Sequence, residues 1–335
     1  MSNCHLRALA APLLRRGAAL LLALAMLLAP ALPAQQPADT AAQGPVIRSD
    51  VNLVLVDATV RDKSGQVMKL LKKEDFLLYE DGRPQEITHF SRDQMPLAVA
   101  LVVDLSGSLE PFLKPLRYAT LTALRVLKPE DQVALMTFSS DVELLEDLTH
   151  DKRKVSDHFE NLRAEGSTNI NDALFLAAEY LRKEAPQARR VIVVVSDNVA
   201  TDPGKVNPEE VTNQVLEADA AVYGIKVPGR NPIIARGAVK VMGRDLVNVN
   251  KVASETGGEV FDVEKEGSLF LAFQTVIDRL KTRYTLGFYP NGGIADGRFR
   301  KLEVRLQPQL GRGGTDYTLL SKRGYYGPRQ ARATR

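Results

Sequence analysis

The pattern of apolar and polar positions divides most of the chain into three stretches. From about 46 to 93 the pattern has the period of strands. Val51, Leu53, Leu55 and Asp57 begin a half-buried strand that ends at Val60. Turn residues follow at Lys63-Ser64-Gly65 and at Glu80-Asp81-Gly82, the second ahead of a strand containing Ile87 and Phe90. From about 96 to 283 continuous apolar runs alternate with helical spacing. The runs are Leu97 to Val103, Val133 to Phe138, Val191 to Val195 and Ala221 to Ile225, as expected of parallel strands covered on both faces. Leu113, Leu116, Leu121, Leu124 and Leu127 predict one helix, and Ala173, Leu174, Ala177, Tyr180 and Leu181 another. Further helices are expected over 209–218, 246–255 and 269–282. The third stretch, from about 284 to 327, returns to alternation: Tyr284, Leu286 and Phe288 share one strand face, and Leu302, Val304 and Leu306 share another.

This order predicts an α/β fold, a doubly wound and mostly parallel sheet with right-handed crossovers. The N-terminal and C-terminal β-rich segments are expected to pair into a smaller sandwich, with the α/β unit over 96–283 inserted between them. Residues 328–335, polar and basic, read as a disordered tail.

The first 34 residues read differently, as a secretory signal peptide. Arg7, Arg15 and Arg16 precede an apolar run of 13 residues from Gly17 to Ala29. Pro30 then ends the run, small residues stand at Ala29, Ala31 and Ala34, and cleavage after Ala31 fits the small-x-small rule, with Ala34 as the alternative. Thirteen residues fall short of the roughly 20 needed to span a bilayer, and no later stretch qualifies. The protein is therefore expected to be exported, to the periplasm or beyond the cell, with 35–45 as a flexible linker. Cys4, the only cysteine, lies inside that leader, so the exported chain would carry neither disulfide nor thiol chemistry.

Composition adds one exclusion. The 335 residues carry 44 Lys and Arg against 41 Asp and Glu. Taking away the three leader arginines leaves 41 against 41. A nucleic-acid binder would be expected to keep a basic excess.

Candidate chemistry gathers where doubly wound folds bind ligands, at the carboxyl ends of the strands. Asp104-Leu105-Ser106-Gly107-Ser108 follows the first central strand, a D-x-S-x-S pattern. Gly166-Ser167-Thr168-Asn169 precedes the helix near Asp172, and Ser196-Asp197-Asn198 follows the strand ending at Val195. Asp104, Ser106, Ser108, Thr168 and Asp197 make an all-oxygen set suited to Mg²⁺, with Mn²⁺ or Ca²⁺ as alternatives. Each piece also has a plainer reading. D-x-S-x-S, Thr168 and Asp172 are good helix caps, and Asp197 is a good turn former.

These residues resemble the von Willebrand factor A domain and its metal-ion-dependent adhesion site, over about residues 96–283. The flanks resemble the von Willebrand A-related proteins of acidobacteria: Val56-Asp57 through Asp62-Lys63-Ser64-Gly65, Glu74-Asp75-Phe76 with Glu80-Asp81-Gly82, and Arg323-Gly324-Tyr325-Tyr326. The resemblance implies that Ser106 and Ser108 bind the metal directly and Thr168 directly or through water. Asp104 and Asp197 would act mostly through water. The open position would take an Asp or Glu carboxylate of a partner protein. Two departures stand out: Asn198 where the family usually has Gly, and Leu109-Glu110 where many members have small or apolar residues.

Catalysis finds little support in the sequence. There is no G-x-S-x-G elbow, H-E-x-x-H pair or phosphate-cradling G-x-x-x-x-G-K. His89, His150 and His158 lie away from the Asp104 loop in the expected topology and read as surface or turn residues. The expected function is therefore a metal-dependent protein-binding module. A scaffold with a vestigial site that binds through its β-rich flanks is the alternative, and a metal-assisted hydrolase a more remote one. The acidic stretch from Glu74 to Gly82 reads as a solvated turn or, alternatively, a Ca²⁺ loop. The basic segment 228–245 reads as a solvated loop beside the metal edge or a partner contact. Oligomeric state is not legible.

Overall fold

Strand β1 (Val54–Arg61) opens the computed structural model, which describes residues 53–92, 95–229, 246–263, 266–290, 296–308 and 317–327. Its core-facing residues are Val54, Val56, Ala58 and Val60. Leu55 and Asp57, named from the sequence as part of a half-buried strand, lie on its other, partly buried face. The apolar pattern of β1 is nearly two-sided, so alternation alone did not choose the inner face. A 3₁₀ turn at Lys73–Asp75 leads into β2 (Phe76–Glu80), β3 (Arg83–Gln85) and β4 (His89–Arg92). The β2–β3 hairpin closes on Asp81 and Gly82, both with positive φ, as a two-residue turn of the primed type requires.

The α/β part follows: β5 (Leu97–Asp104), α1 (Leu113–Leu124), β6 (Gln132–Phe138), β7 (Val142–Thr149), α2 (Lys152–His158) and α3 (Ile170–Glu184). Then come β8 (Arg189–Ser196), α4 (Pro208–Glu217), β9 (Ala220–Lys226), α5 (Val249–Glu255), β10 (Val260–Asp262) and α6 (Glu266–Lys281). The sheet order is β10-β9-β8-β5-β6-β7, all parallel except the edge strand β7. All eight residues of β5 are buried. Leu97, Val99, Leu101 and Val103 pack in one core with α1 and α6. Ala98, Ala100 and Val102 pack in the other with α3 and α4. Small residues meet small residues on that second face, Ala98 and Ala100 with Ala173, Ala177 and Ala178, so α3 lies close to the sheet.

The chain then returns as β11 (Tyr284–Phe288), β12 (Phe299–Leu306), β13 (Thr318–Ser321) and β14 (Gly324–Tyr326). Two antiparallel sheets form, ordered β13-β1-β11-β4 and β14-β12-β2-β3. Their shared core holds Val56, Phe76, Leu78, Tyr284, Leu286 and Leu302. The architecture is thus the doubly wound sheet with a smaller β unit built from both flanks. Strands β7 and β10 and helix α2 were not foreseen. The acidic stretch is no solvated turn throughout: Glu80 is buried and accepts a 2.6 Å bond from the Tyr325 hydroxyl, with the Arg300 Nε 4.0 Å away. The leader, most of the basic segment and the tail lie outside the described residues. No helix among the described residues is long and apolar enough to cross a membrane.

The α/β part and the sandwich meet through buried charge. Asp57 on β1 forms an ion pair with Arg189 Nε at 3.1 Å and accepts hydrogen bonds from Arg283 Nη1 at 3.3 Å and the Thr285 hydroxyl at 2.8 Å. Arg283 sits between α6 and β11; it also bonds the Tyr223 hydroxyl and lies 5.1 Å over that ring. Burial pushes the Asp57 carboxyl up, but Arg189, Arg283 and the Thr285 bond outweigh it and hold the carboxyl below its ordinary 3.8.

The Asp57→Asn variant should lose about 3–5 kcal/mol in urea unfolding, because two buried guanidiniums lose their shared counter-charge. A group with a depressed folded pKa stabilises above its ordinary value and loses that contribution as pH falls through the folded one. The parent should therefore lose stability below about pH 3.8 through this group. In the variant that part of the acid limb should be missing.

Candidate metal-binding edge of the sheet

Because β5 and β8 run parallel in register, Val103 opposite Val195, their carboxyl ends release Asp104 and Ser196-Asp197 at one edge of the sheet. Asp104 is fully buried there. Its Oδ1 accepts the Ser106 backbone N–H at 2.7 Å, and its Oδ2 accepts the Ser196 hydroxyl at 2.7 Å. Ser196 Oγ in turn accepts the Asn198 backbone N–H at 3.0 Å. The Asp104 loop and the Asp197 loop are thus tied through one carboxylate. Ser106 and Ser108 place their hydroxyl oxygens 2.9 Å apart.

The third loop joins from the neighbouring strand end. Asn169 N–H donates to the Ser139 carbonyl just past β6, at 2.9 Å. Thr168 N–H donates to the Thr201 hydroxyl at 2.9 Å, and the Thr168 carbonyl accepts from Thr201 N–H at 3.1 Å. All five candidate residues therefore lie at the same edge, and Asp104, Ser106, Thr168 and Asp197 are buried.

The plainer readings can be tested directly. Helix α3 is capped by Asn169, whose side chain accepts from Asp172 N–H at 3.1 Å, so Thr168 is not the cap. The Asp172 carboxylate instead accepts Lys205 N–H at 2.9 Å and Val206 N–H at 3.1 Å, which holds the following loop. Gly204 in that loop has φ +64°, and a Cβ there would stand 2.4 Å from the Asn169 side chain. Neither the 3₁₀ turn at Glu110–Phe112 nor α1 has a side-chain cap, so Asp104, Ser106 and Ser108 serve no helix as caps. Asp197 does form a turn: its Oδ1 accepts Val199 N–H at 2.9 Å. Its other oxygen faces Gly229, where a Cβ would stand 3.0 Å away.

Burial pushes the Asp104 carboxyl up to about 6. The bonds from Ser196 and Ser106 pull it partly back, and the nearby Asp197 charge adds to the rise. A second carboxylate close to a buried one is unfavourable unless positive charge joins them. The donor set, three hydroxyls beside two carboxylates, fits a hard divalent cation placed there. No group of three or more His, Cys, Asp or Glu side chains among the described residues offers a metal site, so any site here depends on the hydroxyls. The histidines are engaged elsewhere: His158 with Glu146 at 3.1 Å and His150 with the Pro129 carbonyl at 3.1 Å. Glu110 is exposed, in a groove with Pro111, Lys114 and Arg117, whereas Leu109 is fully buried. Ser196 and Thr201 were not among the sequence-derived site residues. A serine ending a buried apolar run was the one available signal.

Residues 99–199 match the family model of the von Willebrand factor type A domain. The chain carries such a domain, and domains of this kind generally take part in protein–protein interaction. Among curated proteins it is similar to the inter-alpha-trypsin inhibitor heavy chain H4 of Homo sapiens, 27% identical over 220 residues, 60% of this chain and 22% of that one. The heavy chain 4 of Mus musculus is also 27% identical, over 57% of this chain and 20% of its own length. The chain thus spans about a fifth of the length of these relatives. Solved structures with similarity include an aerotolerance-related membrane protein from Bacteroides fragilis, at TM-score 0.42 and 18% identity, covering 55% of this chain and 99% of that one. The vWF domain of the type V pili tip protein Mfa5 from Porphyromonas gingivalis gives TM-score 0.42 and 11% identity, covering 56% and 95%.

Asn198 holds φ +57° in the loop after β8, and both its side-chain polar atoms are buried without a hydrogen-bond partner. Gly adopts that backbone without cost and removes the two stranded polar atoms, at some loss of unfolded-state restriction. Asn198→Gly is expected to stabilise the protein by about 1 kcal/mol in chemical unfolding. Unchanged or reduced stability would mean that the Asn side chain is doing something for the loop.

Proposed function

We propose that the protein is an exported, divalent-metal-dependent binding module that captures an Asp or Glu carboxylate of a partner protein. The observation that supports this most is the Ser106–Ser108 hydroxyl pair, 2.9 Å apart beside the buried Asp104 and serving no helix as a cap. Ser106, Ser108 and Thr168 would hold Mg²⁺ (or Mn²⁺ or Ca²⁺), with Asp104 and Asp197 in support. When bound, the ion supplies a Lewis-acidic position that an incoming carboxylate can occupy. The chain's own part is orientation. Ser196 fixes one oxygen of Asp104, the other oxygen holds the Ser106 backbone, and the two serine hydroxyls are thereby aimed together. With neutral hydroxyls in front and the carboxylates behind them, no anionic oxygen touches the cation directly, which favours an added carboxylate at the open position.

Export rests on the leader read from Arg7 to Ala34. The enzyme reading gains nothing from this edge, where the described histidines take no part. A vestigial site remains the competing account, with contacts made by the β-rich flanks.

The decisive measurement is calorimetric titration of Mg²⁺ and Mn²⁺ into the metal-stripped full chain, with and without acetate as a stand-in for the partner's carboxylate. Saturable binding is expected in the parent, lost in Ser108→Ala and Asp104→Ala and weakened about 10–100-fold in Ser196→Ala, which removes only an orienting bond. Absence of binding in the parent under both conditions, or equal binding by the parent and Ser108→Ala, would sink the proposal.

A further inference from the structure

At the opposite end of the parallel sheet lies a cavity of about 220 Å³, partly open to solvent and many times the ~15 Å³ needed to hold a single water. The starts of β8 and β9 form one side, and the outward face of β1 with β11 forms the other. The lining combines an apolar part, including Leu53, Leu55, Met95 and Leu216, with a charged part in which cations exceed anions. Four cations, Arg189, Arg190, Arg283 and Lys322, share two carboxylates. Asp57 serves Arg189 and Arg283, and Asp219 serves Lys322 at 2.6 Å and Arg190 at 3.7 Å.

The cations are also the more buried partners. Arg283 and Arg189 side chains are 2% and 6% exposed, whereas Asp219 is 48% exposed. Part of the excess is taken up by helix ends. Arg190 donates to the Ala185 and Pro186 carbonyls after α3 and to Ala218 after α4, and Arg189 donates to Leu280 in α6. Arg283 is left with a buried Nε that has no hydrogen-bond partner. That Nε is itself shielded from the cavity, so what an entering anion would offset is the excess of the four lining cations over the two carboxylates.

We infer that this cavity is a binding site for a small organic carboxylate with a short apolar chain, its anionic end toward Arg283 and Lys322 and its chain against Leu53, Leu55 and Leu216. The volume lies below the range of about 300 Å³ upward typical of drug-sized sites, so the ligand is small. An inorganic anion alone would leave the apolar half of the lining unused. The site lies away from the metal edge, and its occupation is independent of the proposed metal binding.

The test uses the full chain and straight-chain carboxylates as probes. Hexanoate should bind saturably in calorimetry and raise the melting temperature. Butyrate, two methylenes shorter, should bind roughly tenfold more weakly. Inorganic phosphate should bind more weakly still. Leu55→Trp, which fills the cavity and changes no charge, should abolish hexanoate binding while retaining the parent's far-UV circular dichroism. Lys322→Gln at the rim should weaken it several-fold, a second reading that does not depend on the first variant folding. Absence of saturable hexanoate binding, equal affinity for phosphate and hexanoate, or hexanoate binding unchanged in both variants would each overturn the inference.

Discussion

The carboxylate of Asp57 is the point on which the two parts of this protein are joined. It lies on the outward face of β1 and is claimed at once by Arg189, where β8 begins, and by Arg283, where α6 gives way to β11. The chain leaves the sandwich before β5 and returns to it after α6. Both crossings lie at the amino-terminal end of the parallel sheet. One carboxylate therefore pins the first sandwich strand to a central strand and to the exit of the last helix. Arg61 and Arg279, which share Glu259 at 2.7 and 3.1 Å, add a second tie of the same kind. Ion pairs this buried do little for net stability relative to apolar contacts, but they tolerate only one relative placement of the partners.

That placement determines what the other edge is available for. With the sandwich occupying the amino-terminal end of the strands, the carboxyl-terminal loops after β5, β6 and β8 are left clear of it. Doubly wound sheets bind ligands at that end because the loops there converge and helix N-termini point toward it. Asp104 shows how the sequence uses the position. A strand buried along its whole length ends in a carboxylate that is also buried, and its two oxygens organise the loops on either side.

How much of this was legible in the sequence depended on whether the information was periodic. Strands β5, β8 and β9 could be read because a short continuous apolar run between turn residues suits a strand covered on both faces. The loops at their ends then fell to one edge by topology alone. Strand β7 could not be read: Val142–Thr149 mixes Glu and Asp with Leu and Val, as suits an edge strand with one neighbour and register irregularities. The inner face of β1 was not legible because both of its faces are covered, one by the sandwich core and the other by the junction. Arg189 and Arg283 carry no pattern at all, and Ser196 only its place at the end of an apolar run. An arginine beside an apolar run looks like any flanking charge until the fold brings a carboxylate from more than 100 residues away.

The charges at the two ends of the sheet follow from the same geometry. Helices α1, α3 and α4 each start after a carboxyl-terminal loop and run back toward the junction, so their dipoles are aligned in the strand frame. Their positive ends favour Asp104 and Asp197 at one edge. Their negative ends favour the arginines at the other, where Arg190 takes carbonyls after both α3 and α4 and Arg189 takes one from α6. Each helix end carries only about half a charge, however, and this sets the limit of the compensation. It lessens the cost of burying two carboxylates close together, but it cannot replace a divalent cation. It likewise lessens the cost of four cations around two carboxylates, but it leaves the Nε of Arg283 without an acceptor. One backbone arrangement thus attracts opposite charges to opposite edges and fully compensates neither.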